Sequence, residues 1–174
     1  MNKNVKRLVS AGLVAAMYVA LTLLQNALLP GTASAAVQFR ASEALCVLAL
    51  FTPSAIPGLT IGCIISNIFA GLGAIDLIVG PLASLLSALF IYLFRNIRMW
   101  KLPILSLLCP AVFNGLLVGA EIAIFFSEEK AFAATFFLNA GLVAIGELAV
   151  LFTLGAALYL AVEKNPALRE AIKA

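Results

Sequence analysis

Two glutamates stand where an apolar helix ordinarily carries none. Glu147 interrupts the run from Phe136 to Val162, and Glu121 lies inside a second such run, in a chain that contains no histidine. A carboxylate at bilayer depth costs roughly 2.5–3.5 kcal/mol on insertion scales and by default marks a functional site. About six Leu, Ile, Phe or Val residues at roughly −0.5 kcal/mol each offset that cost, so the helices still insert. In a dry pocket such acids accept N–H donors through charge-assisted bonds or hold a cation. Other polar side chains belong to the same pattern: Arg40 and Glu43 at spacing i to i+3, then Asn67, Asp76, Asn114 and Asn139. Each of these also has a structural use, Arg40 and Glu43 as an interfacial helix pair, Asp76 at a helix N-terminus, and the asparagines as interhelical hydrogen-bonding groups. For Glu121 and Glu147 the structural use is weakest, because no Lys, Arg or His within the membrane is available to pair with them.

Catalysis fits the residues poorly. Without histidine there is no His-Glu-x-x-His zinc site and no Ser-His pair, and no Gly-rich phosphate loop of the G-x-x-x-x-G-K-[ST] type occurs. Cys46, Cys63 and Cys109 are odd in number, scattered in apolar segments and without a Cys-x-x-Cys arrangement, which points to packing rather than redox or metal chemistry. No enzyme activity, metal or cofactor is expected. Binding or transport is the class that remains.

The elements that position these groups are membrane helices. Hydrophobic residues make up 64% of the 174 and charged residues 11%, and the mean hydropathy is +1.13; soluble domains carry about 25% charged residues. The composition predicts an all-α polytopic membrane protein of one domain spanning residues 1–174. Apolar segments fall near 8–29, 37–52, 55–71, 75–94, 103–126 and 134–162, six helices in all. The start, with Lys3, Lys6, Arg7 and the Ala33-Ser34-Ala35 trio, resembles a cleavable signal peptide, but the apolar run from Leu8 to Leu29 exceeds the roughly 7–15 residues of such a region and is read as a span. Six crossings put both termini on one side. That side then collects Lys3, Lys6, Arg7, Arg95, Arg98, Lys101, Lys164, Arg169 and Lys173, against Arg40 and Lys130 opposite, so the positive-inside rule predicts both termini in the cytoplasm of a plasma-membrane protein. The net charge of +3 follows from helix ends and implies no nucleic-acid partner.

Irregular segments surround the polar residues. Pro53 and Pro57 predict a tight inner turn, and the stretch from Ala41 to Thr52 is too short to span as an α-helix. Gly71, Gly73, Gly80 and Pro81 mark a turn and a loosened helix entry around Asp76. Counted from the outer surface, Arg40, Glu43, Asn67 and Asp76 lie near the outer ends of their segments, Glu121 and Asn139 about one to two turns down, and Asn114 and Glu147 toward the midplane. Asn114 and Glu121 are seven residues apart and share a helical face, where Gly115 and Gly119 are expected to open space. The polar groups describe a pocket open to the outside. On the first helix Gly12, Ala16 and Ala20 recur every four residues with Ala11 and Ala15 beside them, a small-residue stripe suited to close helix packing, either internally or against another subunit. The tail from Glu163 to Ala174 reads as a charged surface helix, and Glu128, Glu129 and Lys130 as a solvated loop.

The block Val37-Gln38-Phe39-Arg40-Ala41-Ser42-Glu43-Ala44-Leu45, with Phe51-Thr52-Pro53, Ile56-Pro57-Gly58 and Gly62-Cys63-Ile64-Ile65-Ser66-Asn67, resembles the QueT family. The likeness continues through Gly73-Ala74-Ile75-Asp76, Gly80, Pro110 to Asn114, Gly119-x-Glu121 and Gly146-Glu147. Those proteins are substrate-binding S components of energy-coupling factor (ECF) transporters, associated with uptake of queuosine precursors. The resemblance implies a six-helix S component that captures a 7-deazaguanine such as preQ1 or preQ0 from outside. It also implies docking on a transmembrane T component with two ABC ATPases, through the stripe of Ala11, Gly12, Ala15, Ala16 and Ala20. In that reading Glu147 binds the guanine-like edge and Glu121 or Glu43 the aminomethyl cation of preQ1. Asn67, Asn114 and Asn139 complete the hydrogen bonds, Phe39 offers a stacking surface, and Arg40 and Asp76 belong to the site. The rival reading is a proton- or cation-coupled secondary transporter with Glu121 and Glu147 as relay groups, although no repeated half is evident. A structural subunit, tolerant of losing both acids, is a third.

Overall fold

The computed structural model describes residues 2–32, 37–71, 73–100, 102–126 and 132–172; Lys101, Lys130, Lys173 and the 128–130 loop lie outside them. The described residues form helices and connecting turns with no strands. The order is α1 (Lys3–Leu28), a 3₁₀ helix (Ala41–Leu50), α2 (Ala55–Ala70), α3 (Asp76–Leu93), α4 (Ile104–Glu121), a π-helical turn (Ile122–Phe126), α5 (Phe132–Val150), a second π turn (Leu151–Gly155), α6 (Ala156–Lys164) and α7 (Pro166–Ile172).

Four stretches are long and apolar enough to cross a membrane: α1, α3, Ile104–Phe125 and the continuous Phe132–Lys164 helix. The 3₁₀ helix and α2 are shorter. At about 2.0 Å per residue the 3₁₀ form lengthens its ten residues to about 20 Å, still well short of a bilayer. It is nonetheless the most enclosed element, with every residue from Ser42 to Ala49 buried, and it contacts α1, α2, α3, α4, α5 and α6. Because its side chains meet the bundle from all sides, backbone that is poorly suited to lipid is tolerated there. The turn that follows lies at residues 51–54, and α2 begins at Ala55. Pro57 therefore sits inside the first helical turn, where no amide donor is required, rather than closing the turn as the proline spacing predicts.

Glycines set the interhelical distances. A Cβ on Gly58 would lie 2.6 Å from the carbonyl oxygen of Ala11, and one on Gly62 2.7 Å from Cβ of Tyr18, so α1 and α2 approach almost backbone to backbone. On α4 the Gly115/Gly119 pair meets Ala140 and Ala144 of α5 in the same way, with a Cβ on Gly119 falling 2.8 Å from the backbone of Ala140. The expectation that these two glycines open space for a ligand is thus corrected. Small residues at four-residue spacing are what lets helices come this close without a hydrophobic driving force.

The stripe on α1 divides. Ala15 is buried and Ala11 half-buried against α2, whereas Gly12, Ala16 and Ala20 are exposed, with nothing within 4 Å of a Cβ on Gly12. Gly119→Val is expected to destabilise the isolated chain by about 1–3 kcal/mol through overpacking against Ala140. Gly12→Val should leave its thermal unfolding midpoint in detergent unchanged.

Candidate functional site

Arg40 organises the buried polar groups. It caps the 3₁₀ helix at the end of an extended segment, and Gln25 of α1 straps that segment down. The Gln25 amide accepts from Ala41 N at 2.8 Å and donates to Thr32 Oγ1 at 3.0 Å, and also donates to the Phe39 carbonyl. On the other side α5 has no side chain at Gly146, where a Cβ would collide with the backbone of Gln38. Held between α1 and α5, the guanidinium of Arg40 is buried and approaches Asp76 Oδ1 at 4.0 Å. It also feels the charges of Glu43, Glu121 and Glu147. All four acids act electrostatically on this one buried cation, which corrects the expectation that Glu121 and Glu147 have no basic group to pair with.

Their states of satisfaction differ. Glu43 is fully occupied by the fold: Tyr18 OH donates to its Oε1 at 2.5 Å, Cys46 Sγ to Oε2 at 3.1 Å and Ser84 Oγ to Oε1 at 3.4 Å. Asp76 is the first residue of α3, but its carboxylate makes no capping bond; it pairs with Arg40, while its carbonyl accepts from Asn67 Nδ2 at 3.0 Å. Gly80 makes that possible, since a Cβ there would lie 2.6 Å from the same Nδ2. Unlike Glu43, Asp76 keeps one oxygen, Oδ2, without a hydrogen-bond partner among the described residues, and so do Glu147 at both carboxylate oxygens, Glu121 at Oε2 and Asn114 at both amide atoms, all of them buried. Glu147 is 1% and Asn114 2% exposed. Each unsatisfied buried polar group costs about 1–3 kcal/mol, a concentration of cost that fold stability alone does not require.

Both acids adjoin π-helical turns. Glu121 is the last α-helical residue before Ile122–Phe126, and Glu147 lies one turn ahead of Leu151–Gly155. Such bulges insert a residue, re-aim the neighbouring side chains and concentrate at functional sites. Nothing in the residue pattern signals them.

A cavity of about 220 Å³ opens beside Arg40 between α1 and α2, lined by Tyr18, Thr22, Asn26, Ser42, Ser66 and Asn67 among others. Of these only Asn67, with Arg40, is anticipated from the sequence. The spacing Tyr18, Thr22, Gln25 does put three polar groups on one face of α1, a signal that an apolar-run reading passes over. Phe39 and Asn139 stand apart from the cluster. Phe39 is 42% exposed and lines an apolar crevice with Leu29, Ala149, Val150 and Leu154, and Asn139 turns its Nδ2 back to the Thr135 carbonyl one helical turn away, at 2.8 Å.

An apolar helical bundle enclosing acids and amides that lack partners defines a membrane transport protein. The chain matches the family model described as QueT transporter over residues 8–164, and it belongs to that family. It is 36% identical to a curated relative from Lactococcus lactis subsp. cremoris (strain MG1363), the "Queuosine precursor transporter QueT", across 83% of this chain and 85% of that protein. No solved structure matches it.

Removing Arg40 tests the balance of the cluster. Arg40→Gln leaves the buried carboxylates uncompensated and is expected to cost about 3–5 kcal/mol, the range for breaking a buried ion pair from one side. Its thermal unfolding in detergent should fall well below that of Asp76→Asn, which keeps the cation and removes one acid.

Proposed function

We propose that this chain is the substrate-binding S component of an ECF-type importer that captures a queuosine precursor, preQ1 in preference to preQ0, from outside the cell. The observation that carries the reading is the set of buried, partnerless acceptors and donors on Glu147, Glu121 and Asn114, with Arg40 acting electrostatically on both acids. A 7-deazaguanine presents adjacent N–H donors along its guanine-like edge, and a carboxylate accepts two of them in parallel. Glu147 is assigned that edge. The aminomethyl cation of preQ1 adds a positive charge to a site with more acids than cations, and Glu121 takes it, because Glu43 already spends its oxygens on Tyr18, Cys46 and Ser84. Asn114 supplies further hydrogen bonds, and Arg40, Asp76 and Asn67 hold the frame.

Energy coupling falls to partners. No phosphate-binding loop occurs in the sequence, so ATP hydrolysis belongs to two ABC ATPases, reached through a transmembrane T component. The exposed Gly12, Ala16 and Ala20 face of α1 suits docking to that component, and both termini lie in the cytoplasm with the basic helix ends.

The test is equilibrium binding to the purified chain. PreQ1 should bind, guanine and unrelated vitamins should bind weakly or not at all, and Glu147→Gln should weaken preQ1 by about tenfold to a hundredfold, the loss of a charged hydrogen-bond partner. A folded chain that binds no deazaguanine contradicts the specificity, and unchanged affinity in Glu147→Gln removes that residue from the site. Gly12→Phe should keep preQ1 affinity and lose uptake in cells supplied with the energising subunits.

A further inference from the structure

Trp100 is the chain's sole tryptophan. It is 91% exposed, and it alone among the described non-glycine residues has a positive φ, +49°. A bulky side chain rarely adopts that conformation, and such strain persists only where the surroundings impose it. Here Met99 and Leu102 impose it by exchanging backbone hydrogen bonds of 2.9 and 3.0 Å, a closed hairpin with Trp100 at its tip. Exposed Ile97 and Met99 flank the indole.

The hairpin joins α3 to α4 and therefore lies at one membrane face. Arg98 Nη1 donates to Glu163 Oε1 at 3.0 Å, which fixes the hairpin beside the end of α6. Arg95 lies over the Tyr92 ring, 4.0 Å from its centroid, and donates to the Tyr92 carbonyl at 2.7 Å. By the up-and-down order of the helices the same face carries Lys3, Lys6, Arg7, Lys164 and Arg169, with Glu163 and Glu170 the acids among its described residues. An indole combines an apolar ring with one N–H donor and settles where hydrocarbon meets headgroups. A surplus of Lys and Arg beside it attracts anionic lipid.

We infer that Trp100, held by the Met99–Leu102 backbone bonds, is a lipid contact whose indole inserts among anionic phospholipid headgroups drawn to Arg95, Arg98 and the neighbouring basic helix ends. The charge balance of this face selects lipid over a protein partner, since Lys3, Lys6, Arg7, Arg95, Lys164 and Arg169 outnumber its described acids, of which Glu163 is already paired with Arg98.

Because Trp100 is the sole tryptophan, its fluorescence reports on this hairpin directly. The full chain is reconstituted in phosphatidylcholine vesicles with and without phosphatidylglycerol, and quenching is compared between lipids brominated near the headgroup, lipids brominated deep in the acyl chain, and aqueous iodide. The expected result is emission shifted to shorter wavelength than that of indole in water, strongest quenching by the shallow bromines, and a further shift with phosphatidylglycerol that Arg95→Gln with Arg98→Gln removes. Water-like emission quenched by iodide alone overturns the inference and leaves the hairpin free for a protein partner. Insensitivity to phosphatidylglycerol overturns its selectivity for anionic lipid.

Discussion

The structure depends on a single cation placed where lipid-facing helices ordinarily allow none. Among the described residues Arg40 is the one basic side chain that is buried, and Asp76, Glu43, Glu121 and Glu147 are arranged around it. Removing either sign of charge from water is expensive, and their attraction repays this only where geometry and additional hydrogen bonds satisfy the rest. Glu43 meets that condition through Tyr18, Cys46 and Ser84. Glu147 does not, and in the proposed function that difference separates framework from site. Under the same proposal, the surplus of carboxylate over guanidinium favours a ligand that donates hydrogen bonds or carries positive charge.

Precision in that cluster comes from backbone contact. Gly146 admits the Gln38 backbone against α5, Gly80 admits the Asn67 amide against α3, and Gly58 and Gly62 seat α2 on α1. At each of them one methyl group would force the neighbouring chain to shift. The 3₁₀ helix, enclosed on all sides, then carries Glu43 from the Arg40 end into the bundle. The π turns beside Glu121 and Glu147 are where the helices depart from regular geometry.

Much of this was legible in the residues. Unbroken apolar runs revealed the four long helices, because a helix in lipid must satisfy its own backbone and leaves a simple hydropathy signature. The brevity of the Ala41–Thr52 stretch correctly marked an irregular element. Its 3₁₀ form was not legible, since burial on every side erases amphipathic period. Glu147, Glu121 and Asn114 stood out because polarity inside lipid is costly whatever the fold. Gly115 and Gly119 misled, as a glycine pair reads equally as vacant space or as a seat for a neighbouring helix, and only the position of Ala140 decides. Phe39 and Asn139 share the polar neighbourhood in sequence but stand apart from it in the fold, Phe39 along an apolar crevice and Asn139 bonded back to Thr135, placements invisible to spacing.

The central claim is that the partnerless carboxylates receive the ligand. Infrared difference spectroscopy on the purified chain, recorded on addition of preQ1, observes those groups directly. The expected result is a change in the carboxylate stretching bands with a component that Glu147→Gln eliminates. Binding of preQ1 with those bands unaltered would contradict it.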